Sequence, residues 1–415
     1  MLAALPSPTP DALAHSAQLC ELIRHDIRSQ GGWIPFSRFM ELALYAPGLG
    51  YYTAGAHKFG AAGDFITAPE LSALFGRTLA RQLADIMPSS APHILELGAG
   101  SGKLALDILG ELERLNALPE SYSILEVSAD LRQRQQALLR EKLPHLAGRV
   151  HWLDTLPEKF SGAVIGNEVL DALPVHLLHW RELPSTTGRG AGGEGIHSTK
   201  PLTLTLSPGE REHRILERGV ALDGMRFIWQ DRIPENAALL DIARDLQPTP
   251  GDYQSEISLA ARGLIASLCE RMDKGVMIFI DYGFGAREFY HPQRTRGTLM
   301  CHYRHHTHDD PFYLPGLQDI TAHVDFTAIA ETAIDHGAHF LGYTSQAHFL
   351  LNNGVTDYLQ EVSPEDVRAY APLSAQLQKL TSPAEMGELF KVIALGKKLD
   401  QPLAGFLRGD LSRSL

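Results

Sequence analysis

The feature that most constrains this chain is residues 93–109, HILELGAGSGKLALDIL. Ile94, Leu95 and Leu97 suit a short buried strand. Leu104, Ile108, Leu109, Leu112 and Leu115 then recur at helical spacing. Between the two lies a turn carrying Gly98, Gly100 and Gly102. A strand, a glycine turn and a helix make the first βα unit of a doubly wound α/β sheet. Glycines let the backbone approach a ligand closely, and the helix N-terminus offers free N–H groups. The plain alternative, at this stretch alone, is a glycine turn with no ligand.

The following segments repeat the unit. YSILEVS, 122–128, predicts a second strand ending at Glu126, where a carboxylate can accept from both ribose hydroxyls or simply face solvent. Residues 129–143 read as a helix with Leu131, Leu138, Leu139 and Leu143 inward. VHWLD, 150–154, gives a third strand ending at Asp154, which either contacts a cofactor or caps a turn. Ala163-Val164-Ile165 begin the core of a fourth strand, 162–169, which delivers Asn167, Glu168 and Asp171 together. Ligands of doubly wound sheets sit beyond the carboxyl ends of the strands. Two carboxylates placed there are costly if buried without a partner, so a positive group is expected beside them.

Glycine spacing narrows the ligand. A dinucleotide fingerprint needs glycine at 103, where this chain has Lys103. The pattern GxGxG, with Glu96 two residues ahead, resembles the first motif of class I S-adenosylmethionine (SAM) methyltransferases. In such folds the end of the third strand lies near the adenine, which makes Asp154 a candidate contact. The end of the fourth holds the methyl acceptor.

A length of 415 residues suits two or three domain-sized units, or one large α/β unit with additions. A net charge of −12 argues against coating nucleic acid and suits a Lys- or Arg-rich protein segment. Cys20, Cys269 and Cys301 are scattered and form no CxxC pair, which favours a reducing compartment. The N-terminus shows neither a secretory signal nor an Arg-rich transit pattern. No apolar run approaches the roughly 20 residues of a membrane span. These observations predict a soluble, cytoplasmic protein.

Several stretches extend the resemblance along the chain. They are ALYAPGLGYY (43–52), GDFITAPE (63–70), LELGAGSGKLALDIL (95–109), GNEVLDALPVH (166–176), FIDYG (279–283), PGLQDITAHVDFTA (315–328) and MGELFKVIALG (386–396). On these the chain resembles the MidA family, arginine methyltransferases linked to respiratory complex I assembly. The resemblance implies a Rossmann-like class I methyltransferase with a seven-stranded, mostly parallel sheet whose last strand is antiparallel. It implies an N-terminal helical extension and cofactor lid over 1–90, a methyltransferase domain over 91–400 and a tail over 401–415. It also implies SAM as cofactor and a protein substrate presenting an arginine, such as a respiratory complex subunit. The eukaryotic relatives are mitochondrial, whereas this chain looks bacterial. Two departures stand out. The family usually has two aromatics after Asn-Glu, and here they are Val169 and Leu170. Residues 185–216 are Gly-rich, then Ser/Thr/Pro-rich, and PLTLTLSPGERE looks like a translated bacterial intergenic repeat. They are expected to be a disordered insertion without catalytic role.

An arginine acceptor gives the acidic cluster a task. A guanidinium stays charged, and a carboxylate pair can grip it while drawing charge off the attacking nitrogen. Glu168 and Asp171 are the candidate catalytic residues. Asp171 is also readable as a cap of a turn or helix beginning at Ala172. Glu96, Gly98, Gly100, Gly102, Glu126, Asp154, Asn167 and Asp64 are the candidate cofactor contacts. Asn167 is expected beside the methionine part of SAM. Asp64 binds an amino group there or fixes its own loop. Asp281 and Glu256 are next in line as acceptor carboxylates. Residues 301–312, CHYRHHTHDDPF, match no closed zinc spacing, and a substrate-facing loop without metal is expected. Competing readings are a methyltransferase acting on a small molecule or another residue, a SAM-binding assembly factor, and a nicotinamide oxidoreductase that Lys103 disfavours.

Overall fold

The computed structural model describes residues 5–55, 67–182, 213–246 and 252–415. In chain order its strands are β1 (Trp33–Pro35), β2 (His93–Leu97), β3 (Ser121–Leu125), β4 (Val150–Leu153), β5 (Phe160–Asn167) and β6 (His176–Glu182). There follow β7 (His213–Asp223), β8 (Arg226–Arg232), β9 (Tyr253–Ile257), β10 (Met272–Phe284) and β11 (Met300–Tyr303). The last are β12 (His306–His308), β13 (Asp319–Thr321), β14 (Val324–Asp325), β15 (His339–Ser345) and β16 (Phe390–Lys397).

The central sheet runs β15-β16-β10-β5-β2-β3-β4. Neighbours from β10 to β4 pair in parallel, and β16 lies antiparallel between β10 and β15. The two-residue β14 adds an eighth strand by pairing with the end of β10, a difference from the seven expected. Strands buried on both faces read as continuous apolar runs because helices cover each side. Ile94, Ile165 and Ile278 point into the core beneath the helices Ala73–Ile86 and Lys103–Arg114. Leu95, Val164 and Met277 point the other way, onto the helices Leu259–Arg271 and Phe326–Asp335.

A second sheet, β1-β7-β6-β9 with β8 beside β7, is antiparallel throughout. It corrects two expectations. The first 90 residues are not helical alone, because β1 pairs with β7 from far along the chain. Residues 213–216, assigned on sequence to the insertion, begin β7. The rest of that insertion's expected span from 185 to 212 lies outside the described residues, as do Gly63 and Asp64. Gly219 shows how closely the two segments meet. A Cβ there would stand 2.3 Å from the Ile34 carbonyl oxygen and 2.4 Å from the Trp33 ring.

The expected loop at 301–312 is instead largely a hairpin of β11 and β12, which β13 completes as a three-stranded sheet. Arg304 and His305 turn it with φ of 47° and 63°, as a two-residue turn with both φ positive requires. Among the described residues, no group of three or more His, Cys, Asp or Glu could hold a metal ion. No helix among them is long and apolar enough to cross a membrane.

Candidate active site

The carboxyl ends of β2, β3 and β5 open into one cavity, closed from above by segments from the N-terminal part and from β13. The glycine turn forms its floor. Gly98, Gly100 and Gly102 have φ of 62°, 54° and 85°, in the left-handed region that glycine enters without penalty. Gly102 also caps the helix Lys103–Arg114, and a Cβ there would meet Gln135 at 3.0 Å.

Gln135 was not anticipated, although it is a polar residue set between Leu131 and Leu139 on one helical stripe. It is fully buried. Its Nε2 donates to the Gly100 carbonyl at 2.9 Å and to Glu126 Oε2 at 3.0 Å, and its Oε1 accepts from Trp152 Nε1 at 2.8 Å. One amide thus ties the glycine turn to the end of β3. Glu126 also accepts from the Ser128 N–H at 2.9 Å, and burial pushes its carboxyl up. Glu96 receives the Tyr122 hydroxyl at 2.8 Å and is pushed up to about 8 by burial. Both line the cavity. Asp154 does not. Its side chain is 85% exposed and pairs with Arg132 Nη2 at 2.7 Å.

The Asn167–Asp171 turn is held from beneath by Asp281, which is buried at the end of β10. Asp281 Oδ2 accepts the N–H groups of Val169 at 3.1 Å, Leu170 at 2.8 Å and Asp171 at 3.3 Å. Its Oδ1 accepts from Tyr282 N–H at 2.9 Å. These donors favour the carboxylate form, whereas burial and the Glu168 charge push its carboxyl up to about 7. Asp281 therefore acts as an anchor for the turn. Glu256 is placed likewise by the N–H groups of Thr298 and Leu299 at 2.9 and 3.0 Å, away from this cavity.

With the turn pinned, Glu168 takes a φ of 52°, a conformation that costs a non-glycine residue free energy and recurs at functional sites. Its side chain lines the cavity and accepts from Asn167 Nδ2 at 3.1 Å and from the Ala68 N–H. Burial, then the neighbouring Asp171 charge, pushes it up to about 8. Asn167 Oδ1 is buried and has no hydrogen-bond partner. Asp171 Oδ1 is likewise buried and unbonded. Burial and the charges of Asp281 and Asp319 hold its carboxyl well above the usual range. No helix starts at Ala172, but residues 171 and 172 form a turn, and the Asp171 carboxylate accepts the Ala172 N–H there. Of the two departures from the family pattern, Val169 lines the cavity and Leu170 is buried in the core.

The far wall was not foreseen residue by residue. Asp319, from the DITAHVDF stretch, accepts the Tyr52 hydroxyl at 2.9 Å on each of its oxygens. Tyr45 stacks on Tyr52 at 5.5 Å and donates to the Ala172 carbonyl at 3.0 Å. Glu70 contacts Ser101 and accepts Lys103 Nζ on its carbonyl at 3.0 Å, laying the segment from Thr67 over the glycine turn. The signal available was the clustering of odd polar residues within the ALYAPGLGYY and DITAHVDF stretches. No lysine or arginine lines the cavity among the described residues.

Comparison with known proteins gives a consistent picture. A family model described as "Putative S-adenosyl-L-methionine-dependent methyltransferase" matches residues 74–344. The mitochondrial protein arginine methyltransferase NDUFAF7 homologue of Drosophila melanogaster is 28% identical over 446 residues, covering 97% of this chain and 91% of that one. Its Danio rerio counterpart is 27% identical, covering 90% and 89%. A candidate methyl transferase from Burkholderia thailandensis, crystallised with S-adenosyl-homocysteine, is 46% identical with a TM-score of 0.88. That match covers 99% of this chain and 100% of the other.

Proposed function

The chain belongs to this family of S-adenosyl-L-methionine-dependent methyltransferases, and from that premise we propose that it methylates an arginine side chain presented by a protein. The cofactor is SAM, which supplies a methyl group already activated by its sulfonium. The residues present suit it. The glycine turn leaves space where side chains would stand, and Asn167 Oδ1 is an unpaired acceptor suited to an ammonium. Glu126 accepts the Ser128 N–H on one oxygen and Gln135 Nε2 on the other, and a carboxylate has lone pairs beyond these for a pair of hydroxyls. Asp154, turned outward, is the weakest of the proposed contacts.

The observation that carries the arginine reading is the set of Glu168, Asp171 and Asp319 around a cavity with no lysine or arginine in its lining. Carboxylates gathered without a counter-ion are pushed toward their protonated forms, the direction in which burial and mutual charge move Glu168 and Asp171. A guanidinium, charged at any physiological pH, would restore their charge and receive charge-assisted hydrogen bonds. Glu168 and Asp171 then orient one guanidinium nitrogen toward the methyl group. With SAM bound, the new N–C bond would form as the methyl–sulfur bond breaks to leave a neutral thioether, and that nitrogen must lose a proton. Glu168, which lines the cavity beside that nitrogen, is the carboxylate placed to take it. Tyr52 keeps Asp319 in place, and Tyr45 and Tyr52 offer aromatic faces on which a guanidinium can stack. The family resemblance supports a respiratory complex subunit as the presenting protein, met in the cytoplasm.

The test is capture of bound proteins on a Glu168→Gln variant, then mass spectrometric mapping of methylarginine after incubation with wild-type enzyme and SAM. New methylarginine is the expected result. Transfer only to other residue types or to small molecules would sink the arginine assignment.

A further inference from the structure

Just outside the cavity lies a cluster of opposite charge that the reaction described above does not use. Tyr282 lines the cavity, and its ring stacks on His323 at 6.2 Å with an interplanar angle of 17°. His323 meets the edge of Phe284 at 5.1 Å. Arg294 lies over Phe284 with its guanidinium carbon 4.5 Å from the ring centre, and Lys391 Nζ approaches the same ring at 5.8 Å. Both cations also face His323, whose ring is held down to about 4 by burial and by their charges. The imidazole is therefore neutral at physiological pH.

Two polar atoms here lack partners. Arg294 Nε and His323 Nδ1 are buried and form no hydrogen bond. Among the described residues Arg294 makes no ion pair, whereas Arg77, Arg81, Arg132 and Arg218 each do. Glu288 and Glu388 act on Lys391 electrostatically, and Lys391 Nζ donates to the Glu388 carbonyl. Neither glutamate reaches Arg294 Nε. A buried arginine Nε–H without an acceptor is costly, which leaves Arg294 a donor that a carboxylate can satisfy. In a chain of net charge −12, beside a cavity walled by carboxylates, a paired cation site is not a general property of the surface.

We propose that Arg294, Lys391 and His323, set around Phe284, form a second subsite that takes a side-chain carboxylate of the protein substrate close to the methyl-accepting residue. The proposal rests on the arginine reading above and refines it. The substrate is then an arginine flanked by an acidic residue, its two charges reversed with respect to the enzyme's two subsites. Such complementarity sets register and rejects unsuitable partners more than it adds raw affinity.

The probe is a library of synthetic peptides with one central arginine and randomised flanks, incubated with SAM and read by mass spectrometry. Wild-type enzyme is expected to enrich Asp or Glu at one flanking position about fivefold, the size typical of a partly exposed ion pair. Arg294→Gln and Lys391→Gln should each reduce that enrichment, and the double variant should remove it. Lys391→Glu should favour Lys or Arg at the same position. SAM affinity by calorimetry checks that each variant is folded, and Arg294→Lys, which keeps the charge, should retain the preference. Methylated peptides with no acidic preference, or a preference surviving in the double variant, would overturn the subsite and leave the arginine reading intact. Transfer to no arginine peptide by the wild type would overturn both.

Discussion

Two buried carboxylate sites in this molecule differ in one respect, the presence of a cation. Glu111, on the helix Lys103–Arg114, receives Arg77 Nε at 2.9 Å, Arg114 Nη2 at 2.5 Å and the Tyr358 hydroxyl at 3.0 Å. Those partners outweigh burial and pull its carboxyl down to about 2. Glu168 and Asp171 have no such partner among the described residues, and theirs rise. Around Glu111 the fold supplies its own counter-ions, and Arg77 and Arg81 also stack on the Tyr358 ring. Around Glu168 it supplies only backbone N–H groups and an amide. The first arrangement is complete as it stands. The second, on the proposed reading, is completed by a cation from the substrate.

The largest effect expected from breaking this contrast is on turnover. Glu168→Gln keeps size and hydrogen bonding but removes the charge. Loss of one partner of a desolvated charge pair costs roughly 3–5 kcal/mol, or about two to four orders of magnitude in methyl transfer to an arginine substrate. SAM affinity by titration should stay within a few-fold. If SAM binding fails first, Glu168 belongs to the cofactor and not to the acceptor. Asp171→Asn should show the same pattern, and its stability to denaturant should not fall, because an unpaired carboxyl is being removed.

Glu111→Gln should do the reverse. It leaves two arginines without a partner they share, and should lower unfolding free energy by about 3 kcal/mol while leaving kcat unchanged. Urea melts of Glu111→Gln and Glu168→Gln side by side make the comparison direct. A Glu168 variant that loses as much stability as the Glu111 variant would mean that both sites are structural. Gly100→Val adds a third point. Its φ of 54° is hostile to a β-branched residue, so the glycine turn should distort and SAM affinity should collapse, checked by calorimetry.

The pH dependence sharpens the same contrast. Glu168 has a folded value of about 8 against an ordinary 4.5, so the native state holds a proton that the unfolded chain has released. Stability therefore falls as pH rises from about 4.5 to about 8, by at most about 1.4 kcal/mol per pH unit. Glu96, also about 8, contributes in the same window and cancels in the difference between wild type and Glu168→Gln, which reads Glu168 together with the part of the Asp281 rise that its charge causes. Glu111, near 2, does the opposite. Its contribution is present above about 4.5 and is lost as pH falls toward 2. Denaturant melts from pH 4 to 9 should show a flatter curve for Glu168→Gln. Identical curves would place a counter-charge beside Glu168.

What could be read from the sequence follows the same division. The units β2 to β5 were legible because parallel strands are apolar throughout and the glycine turn has its own spacing. The carboxylates at 168 and 171 were legible as a problem, since nothing local could neutralise them. Asp281 and Asp319 come from elsewhere in the chain, and only the closed sheet shows the first bonding backbone N–H groups and the second meeting Tyr52. The antiparallel sheet escaped notice because β1 has three residues and its partner begins at the end of an atypical segment. The cluster at Arg294 escaped for the same reason, since its members lie at 284, 294, 323 and 391.

The smallest expected effect concerns Asp154, which the strand pattern offered as a cofactor contact. Register alone placed it at the end of β4, in line with Glu126 at the end of β3. But β4 is the edge of the sheet, and Asp154, the residue after it, faces solvent. Asp154 meets Arg132, and the same Nη2 also reaches the carbonyls of Glu126 and Leu153 at 3.0 and 3.1 Å. The arginine would thus remain seated without the carboxylate. An exposed pair of this kind is worth at most about 1 kcal/mol, and screening by salt reduces it further. Asp154→Asn should change SAM affinity by less than about threefold in moderate salt. Glu126→Gln, by contrast, replaces an acceptor-only group with one whose amide would oppose Gln135 Nε2 or the Ser128 N–H. It should weaken SAM binding by at least tenfold in the same titration, as expected when a charged hydrogen-bond acceptor is lost. Equal losses in the two variants would show that an aspartate outside the cavity reaches the cofactor, and the proposed outline of the binding site would have to extend across the sheet edge.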